Sequence, residues 1–333
     1  MILIIASDAG PAKYLDLIIK SINYSLICVG SEISENVFSK NNFLRKNIEE
    51  IDFENIQLII TGTCLDVCAE KKAIIKAKKK NIPTISIIEH WSHYYERFLL
   101  NGKLILPDYI FVNDNKAKKD AILAGLPENI IIVVGNPYLE QLSKRKLYPL
   151  TKNKWLQKLK LDNKPVITFI SESYRDDFPK DTEEYQGFDE FIVLKSLLKF
   201  AKKYDYNLLI RQHPSESKNK YNEYLQDKKI VLDNINDYDS TIINSDYIIG
   251  MGSMFLIEAS LFRDDIISYR PNERSSFIGN ELKLTNKITD EKILNNVLKH
   301  RLTVTTKSKY KLIENSLEKI NNFISTILIQ KIK

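Results

Sequence analysis

Residues 244–271 read NSDYIIGMGSMFLIEASLFRDDIISYRP, and this stretch contains one complete α/β unit. The apolar run at 247–249 is typical of a buried strand, and the small-residue turn at 250–254 interrupts it. A helical apolar pattern over 255–262 follows, and then a second apolar run at 266–269. Strand, turn, helix and strand in this order predict a parallel sheet covered by helices.

The turn at 250–254 lies where the predicted helix begins. Backbone N–H groups in a first helical turn have no intrahelical partner, so they are suited to a phosphate. Gly252 permits close approach of a ligand, Ser253 either binds an oxygen or caps the helix, and Met254 completes the turn. Glu258 is a candidate for a ribose hydroxyl, and its alternative is a solvated helix residue.

Size and composition indicate two globular domains. The chain has 333 residues, 44% of them hydrophobic and 28% charged, with a net charge of +6. This mild charge argues against a nucleic-acid partner. No apolar run approaches ~20 residues, and the first ten residues do not resemble a signal peptide, so a cytoplasmic location is predicted. Three cysteines are typical of a reducing compartment, and the four-residue spacing of Cys64 and Cys68 argues against a metal site.

Strand-like and helical patterns alternate along both halves of the chain. This alternation predicts an α/β protein with two Rossmann-like domains, each built on a parallel sheet. It lapses in a basic, polar segment around Pro149. We therefore predict a first domain at 1–145, a linker at 146–164, a second domain at 165–306 and a C-terminal helix at 307–333. Two such domains suggest a ligand in a cleft lined by the loops that follow the strands.

The loop after the predicted strand at 208–211 contains Arg211, His213 and Pro214. A guanidinium fork and an imidazole at one strand end predict a clamp for a phosphate or diphosphate. The alternative is a structural His-Pro turn beside a solvated arginine.

The order strand, RQHP, strand, GMGS, helix resembles the nucleotide-binding half of the GT-B glycosyltransferases. It is most similar to the GT-B bacterial sialyltransferases and the CDP-glycerol glycerophosphotransferases. The resemblance implies that His213 and Ser253 contact donor phosphates. It also places against the donor the loop after the first strand of the second domain, which contains Ser171, Glu172, Ser173 and Arg175. It implies a nucleotide-sugar substrate with no further cofactor and no metal ion.

In the first half, residues 89–98 read EHWSHYYERF and form a polar, aromatic cluster after a strand. Glu89 and His90 are candidate general bases, and Asp8 in the turn after the first strand is another. The alternatives are a helix start with core aromatics and, for Asp8, a helix N-cap. We predict that four further residues bind the acceptor sugar, namely Lys13, Trp91, His93 and Tyr94.

These features predict a metal-independent GT-B glycosyltransferase. Its substrate would be a CMP-, CDP- or UDP-linked sugar, and its acceptor a glycan or lipid-linked molecule in bacterial-type surface polysaccharide biosynthesis. Two alternatives stay open, a UDP-N-acetylglucosamine 2-epimerase-like enzyme, which needs no acceptor, and a non-catalytic nucleotide-sugar-binding protein.

The C-terminal segment 307–333 has an apolar helical face, six lysines and two glutamates. It either packs back onto the first domain or, with the lysine-rich helix at 71–80, associates with an anionic membrane at its inner face. Packing is the favoured alternative.

Overall fold

The computed structural model describes residues 1–35, 37–38, 43–44, 47–65, 68–300, 302 and 310–330. The chain separates into two compact units. The first unit contains Met1–Gln141 and Lys311–Lys333, and the second contains Leu142–Tyr310.

In the first unit the strands are β1 Ile2–Ala6, β2 Leu26–Gly30, β3 Phe43–Leu44, β4 Leu58–Thr61, β5 Thr84–Ile88, β6 Leu99–Leu100, β7 Lys103–Leu104, β8 Tyr109–Val112 and β9 Ile131–Val133. The helices are α1 Ala9–Ser21, α2 Glu32–Glu35, α3 Ala69–Lys79, α4 Asn115–Leu123 and α5 Pro137–Lys144, which contains the boundary between the units. Seven strands form one parallel sheet in the order β3-β2-β1-β4-β5-β8-β9, while β6 and β7 form an antiparallel hairpin.

The second unit begins its regular structure with α6 Lys152–Leu159. Its strands are β10 Val166–Ile170, β11 Asn207–Arg211, β12 Ile230–Leu232, β13 Tyr247–Gly250, β14 Ile267–Tyr269 and β15 Asn286–Ile288. Its other helices are α7 Tyr174–Asp177, α8 Glu190–Tyr204, α9 Tyr238–Asn244, α10 Met254–Ser260, α11 Ile278–Glu281 and α12 Glu291–Lys299. The sheet is parallel, in the order β12-β11-β10-β13-β14-β15. The predicted α/β class with two parallel sheets is confirmed.

The central strands explain this class. All five residues of β1 and all four of β13 are buried, as expected for strands covered by helices on both faces. The stretch 244–271 folds as the predicted unit of β13, turn, α10 and β14.

The whole predicted linker, residues 146–164, lies in the second unit. Residues 152–159 form α6, and Trp155, Leu156 and Leu159 are buried together with Val166 and Leu209. Their helical spacing gives the segment one apolar face, which packs on the sheet.

The last helix, α13 Ser316–Gln330, belongs to the first unit. Ile320 and Ile324 are fully buried in the core that contains β1 and α1. On α5, the Glu140 carboxylate accepts the backbone N–H groups of Asn315 and Ser316, at 2.9 Å each, and so caps α13.

This packing leaves the apolar face of α13 covered, so nothing in the described chain supports the alternative that it inserts into a membrane. The ends of the predicted segment, 307–309 and 331–333, lie outside the described residues. Among the helices that the structure describes, none combines the length and apolarity needed to cross a bilayer.

Candidate functional site

A pocket of about 630 Å³ lies within the first unit, at the carboxyl ends of β1, β2, β4 and β5. Its wall contains Asp8 and Glu89, two of the three candidate bases. Arg97 and Lys72 supply positive charge to the same wall. Sites in parallel sheets are expected at this edge.

Glu89 lies directly after β5. Its position is fixed through hydrogen bonds to its backbone, so its carboxyl is not needed for this support. Its carbonyl oxygen accepts hydrogen bonds from Asn113 Nδ2 at 2.8 Å and Asn136 Nδ2 at 3.4 Å, two amides that follow β8 and β9. The Oε2 atom is buried and has no hydrogen-bond partner among the residues that the structure describes. Gly10 fits against the other oxygen, since a Cβ at this position would lie 3.0 Å from Oε1.

Burial raises the pKa of the Glu89 carboxyl, and the positive charge of Arg97 opposes this shift only partly. A buried carboxyl with a raised pKa and an oxygen that has no partner is suited to proton transfer. This environment suits a general acid or base.

Two more carboxyls surround the turn after β1. Asp8 is exposed and occupies the N-cap position of α1, but its side chain does not cap the helix. Buried Glu70, in the first turn of α3, accepts Ser7 N–H at 2.6 Å and Ser7 Oγ–H at 2.7 Å. Burial raises the pKa of Glu70, and the Ser7 hydrogen bonds counteract it. Sequence analysis missed Glu70, although an acidic residue in a first helical turn at a strand-end edge was a usable signal.

The other candidates in 89–98 differ in their exposure. His90 Nδ1 lies 2.9 Å from Ser92 Oγ, and burial, then the charges of Arg97 and His93, lower the pKa of His90 to about 4. His90 is therefore neutral at pH 7. His93 is exposed, with a φ of 55°.

The two aromatic residues predicted to bind the acceptor, Trp91 and Tyr94, are buried. Trp91 donates its indole N–H to Asp114 Oδ2 at 2.8 Å, and Tyr94 is 5% exposed. Neither ring therefore presents an open face for sugar stacking in this structure. Lys13 is exposed, and its Nζ lies 5.2 Å from the centroid of the Tyr138 ring.

Within the second unit, the turn between β13 and α10 already binds a carboxylate of the chain itself. Gly252 N–H donates to Glu172 Oε2 at 2.8 Å, and Ser253 Oγ accepts the N–H of Phe255 at 3.2 Å, as a helix cap. Burial is the main reason that the pKa of Glu172 rises to about 7. The amide proposed for a phosphate is thus paired with Glu172 here.

Arg270, which directly follows β14, supports this turn and was missed by the sequence analysis. Its side chain is buried and contacts Glu273, Tyr174 Oη at 2.9 Å and Met251 O at 3.4 Å. Gly252 packs against the same group, because a Cβ there would lie 2.5 Å from Tyr174 Oη. The position of Arg270 after a strand was the available signal.

The two residues of the predicted phosphate clamp have separate partners. Arg211 forms an ion pair with buried Asp233 and lies 5.0 Å from the centroid of the Phe255 ring. His213 is exposed, and its Nδ1 lies 2.6 Å from Ser215 Oγ.

Behind His213 lies a buried polar cluster centred on Glu216. The Glu216 carboxylate accepts His213 N–H and Ser171 Oγ–H, each at 2.8 Å, and Tyr221 Oη–H at 3.1 Å. Lys220 Nζ lies 2.8 Å from it and also pairs with Glu190. Ser171, predicted to contact a donor, therefore belongs to the support of the His213 loop.

Four other residues were predicted to bind the donor nucleotide-sugar, and the structure places them as follows. Arg175 pairs with Asp189 Oδ2 at 2.9 and 2.8 Å, through Nε and Nη2. Ser173 is the N-cap residue of α7, and its side chain does not cap this helix. Met254 is the first residue of α10 and Glu258 is buried.

Two of the three cysteines of the first unit are joined, and Cys28 is free and buried. Cys64 and Cys68 form a disulfide on the pocket wall, and their sulfurs and a Glu70 oxygen lie within 4.8 Å of one another. Disulfide sulfurs are not thiolate ligands, so this group holds a metal only after reduction. The absence of a metal stays a prediction.

No protein-family model and no curated protein sequence matches the chain. Solved structures do. The UDP-GlcNAc 2-epimerase of Methanocaldococcus jannaschii, in complex with UDP-GlcNAc and UDP, shares 14% identity over 98% of this chain and 99% of its own, with a TM-score of 0.68. That of Neisseria meningitidis, bound to UDP-GlcNAc, shares 15% identity over 98% and 99%, with a TM-score of 0.66. Anabaena Alr3699/HepE in complex with UDP-glucose shares 12% identity over 99% and 98%, with a TM-score of 0.63.

These likenesses show the fold, which is GT-B-like with two Rossmann-like domains. They also correct the functional prediction. Several of the matched structures are UDP-GlcNAc 2-epimerases that align with nearly the whole chain, so the glycosyltransferase assignment is wrong and the epimerase-like alternative is favoured. The narrower resemblance to sialyltransferases and CDP-glycerol transferases has no support among them.

Proposed function

We propose that this chain is a nucleotide-sugar enzyme of the UDP-N-acetylglucosamine 2-epimerase type. The observation that carries the proposal is Glu89, a carboxyl with a buried, unpartnered oxygen in a pocket of the first unit. The structural likeness to epimerases along nearly the whole chain supports the substrate class.

The chemistry of the reaction explains why such a carboxyl is needed. The C2–H bond of an N-acetylglucosamine residue is not adjacent to a carbonyl, so its proton is weakly acidic. Loss of UDP from C1 together with the C2 proton forms a C1–C2 double bond and avoids a free carbanion. Return of a proton to C2 from the opposite face, with UDP rejoining C1, gives the 2-epimer with no net change in composition.

The residues of the first-unit pocket suit the proton transfers. Glu89 would remove or return the C2 proton, because its buried Oε2 atom has no partner among the described residues and burial raises the pKa of its carboxyl. Asp8, which is exposed and also lines this pocket, would serve the opposite face of the sugar. Arg97 supplies positive charge beside Glu89.

Taken by itself, the second unit carries groups suited to a phosphate at the carboxyl ends of β11 and β13. His213 is exposed there, and the Gly252 N–H becomes available when Glu172 withdraws or takes up a proton. Donors fixed in this way suit the negative charge of a phosphate group.

Incubation with UDP-N-acetylglucosamine in D₂O tests the proposal. Proton NMR should show a second sugar nucleotide and loss of the C2 proton signal, because the returning proton comes from solvent. Prolonged incubation with neither deuterium at C2 nor free UDP would refute the proposal, even if the ligand binds.

Binding can be checked separately from turnover. UDP-sugars should raise the Tm of the protein, whereas CMP- and CDP-sugars at equal concentration should raise it less. A UDP-sugar that binds tightly without any exchange at C2 would support the non-catalytic alternative.

A further inference from the structure

The pocket of the first unit has a sulfur-containing wall that the proposed reaction does not use. Cys68 is the N-cap residue of α3, Cys64 follows β4, and the two form a disulfide. Both line the same pocket as Asp8 and Glu89. Cys64 is 5% exposed, while Cys68 is half-buried, so a solvent-borne thiol reaches Cys68 more readily.

Two contacts connect the disulfide with the carboxyls of the pocket. A Glu70 oxygen lies within 4.8 Å of both sulfurs, and the same carboxylate holds Ser7 through two hydrogen bonds. Next to Glu70, buried Lys71 donates from Nζ to Leu65 O at 2.9 Å. The first turn of α3 therefore contacts both the disulfide-bonded segment and the turn that contains Asp8.

We propose that Cys64 and Cys68 are a reversible dithiol–disulfide pair whose redox state regulates the neighbouring carboxylate pocket. The pair itself stands on the geometry of the first unit, and its effect on turnover rests on the proposed function. A pair beside reactive carboxyls is placed where a change of redox state alters the site directly.

The reductant is a thiol, and the exchange is balanced. A thiolate attacks Cys68 Sγ, the sulfur–sulfur bond breaks, and Cys64 leaves as a thiolate that takes up a proton. A second thiol resolves the mixed disulfide and leaves Cys68 as a thiol. Two external thiols are thereby oxidised to one disulfide, and the protein gains two electrons and two protons. A thiolate at Cys68 faces the partly positive N-terminus of α3, which favours its departure and its return attack.

Reduction changes the surroundings of Glu70. The disulfide has no hydrogen to donate, whereas two thiols are weak donors next to the carboxylate. The separated sulfurs also need more room than the bonded pair. Both effects compete with the Ser7 contacts, so the disulfide form is the one that keeps Ser7 and the following Asp8 in place.

Thiol trapping tests the pair without any substrate. The full chain is equilibrated in mixtures of reduced and oxidised glutathione, alkylated, and analysed by mass spectrometry. We expect Cys64 and Cys68 to change together within this range. If they stay oxidised throughout, the bond is structural, and if they stay reduced throughout, there is no pair. Either result overturns the proposal. Cys28 is an internal control, because burial raises the pKa of its thiol to about 11.

Hydrogen exchange of the Ser7 amide tests the link to the pocket. We expect at least tenfold faster exchange in the reduced protein and in the double variant Cys64→Ser/Cys68→Ser. Cys28→Ala should leave the exchange rate unchanged. Equal Ser7 protection in both redox states would refute the regulatory link.

Turnover of UDP-N-acetylglucosamine is the last measurement, and we expect it to fall at least threefold on reduction. Absence of turnover in both states would count against the proposed function alone, since thiol trapping and Ser7 exchange do not depend on it. Equal, measurable turnover in both states would overturn the regulation.

Discussion

Both units place carboxyls at the carboxyl ends of their strands, but the surroundings of these carboxyls differ. In the first unit, the Oε2 atom of Glu89 is buried and has no partner within the described chain. In the second unit, Glu216 receives hydrogen bonds from three residues and an ion pair from Lys220. Similar sheets thus provide one carboxyl that can exchange a proton and another that is fully occupied.

The difference shows that two similar sheets can place one carboxyl for proton transfer and another for structural stability. An unpartnered buried carboxyl is unfavourable for stability and remains useful for proton transfer. A carboxylate surrounded by donors fixes the loop that contains His213. The following predictions test this contrast, beginning with the largest effect.

Glu89→Gln should lower epimerase turnover by about a hundredfold to ten-thousandfold, because the amide cannot transfer a proton. The fold should persist, since Asn113 and Asn136 hold the backbone of residue 89 and not its side chain. Turnover is followed by NMR, with the exposed neighbour Glu96→Gln as the matched control. Full activity in a folded Glu89→Gln protein would remove Glu89 from the mechanism.

Glu216→Ala should mainly reduce stability, by about 3 kcal/mol, because Lys220, Ser171 and Tyr221 lose a buried partner. Calorimetry should show a lower Tm for the second unit, by roughly 6–12 °C for a domain of this size. Exposed Glu223→Ala is the control. An unchanged Tm would mean that the cluster is not a support.

His213→Ala should reduce turnover at least tenfold, since loss of a charge-assisted contact with a phosphate costs on the order of 1.5–3 kcal/mol. The residue is exposed, so the Tm should change little. Kinetics and calorimetry on the same preparation separate the two effects. Lost folding would favour the structural His-Pro turn, and unchanged activity would exclude the phosphate role.

Glu172→Gln should leave the free energy of unfolding at low pH unchanged and alter its pH dependence, by at most about 3 kcal/mol at high pH. Folding raises the pKa of this carboxyl from 4.5 to about 7, so its stabilising contribution is complete below pH 4.5 and is lost as the pH rises through 7. The variant should therefore be more stable than the natural protein at pH 8 and no more stable at pH 4. Parallel Tm profiles would contradict this assignment.

The sequence predicted the fold well because buried parallel strands appear in it as apolar runs and the turns after them contain glycines. It also led to the edge that contains Glu89 and Asp8, since that edge follows from strand order. Glu70 and Arg270 were missed, and Glu172 was predicted only as part of a loop against the donor. Each acquires its environment from a partner far along the chain, as Glu172 does from Gly252, and no local pattern records such a partner.

The function was mistaken for a related reason. His-Pro and Gly-Ser turns at strand ends occur where a fold can bind a phosphate, whatever reaction follows. Short motifs of this kind therefore specify an architecture more strongly than a reaction.

The contact between Glu140 and α13 bears on the order in which the two units fold during synthesis. The second unit is inserted in the chain between two parts of the first, so a ribosome finishes residues 142–310 before it makes the helix that fills the core around β1. Domains generally fold as units during synthesis. The second unit can therefore fold while the apolar core of the first unit is still incomplete. The core of the first unit is completed only when the Glu140 carboxylate accepts the backbone N–H groups of Asn315 and Ser316.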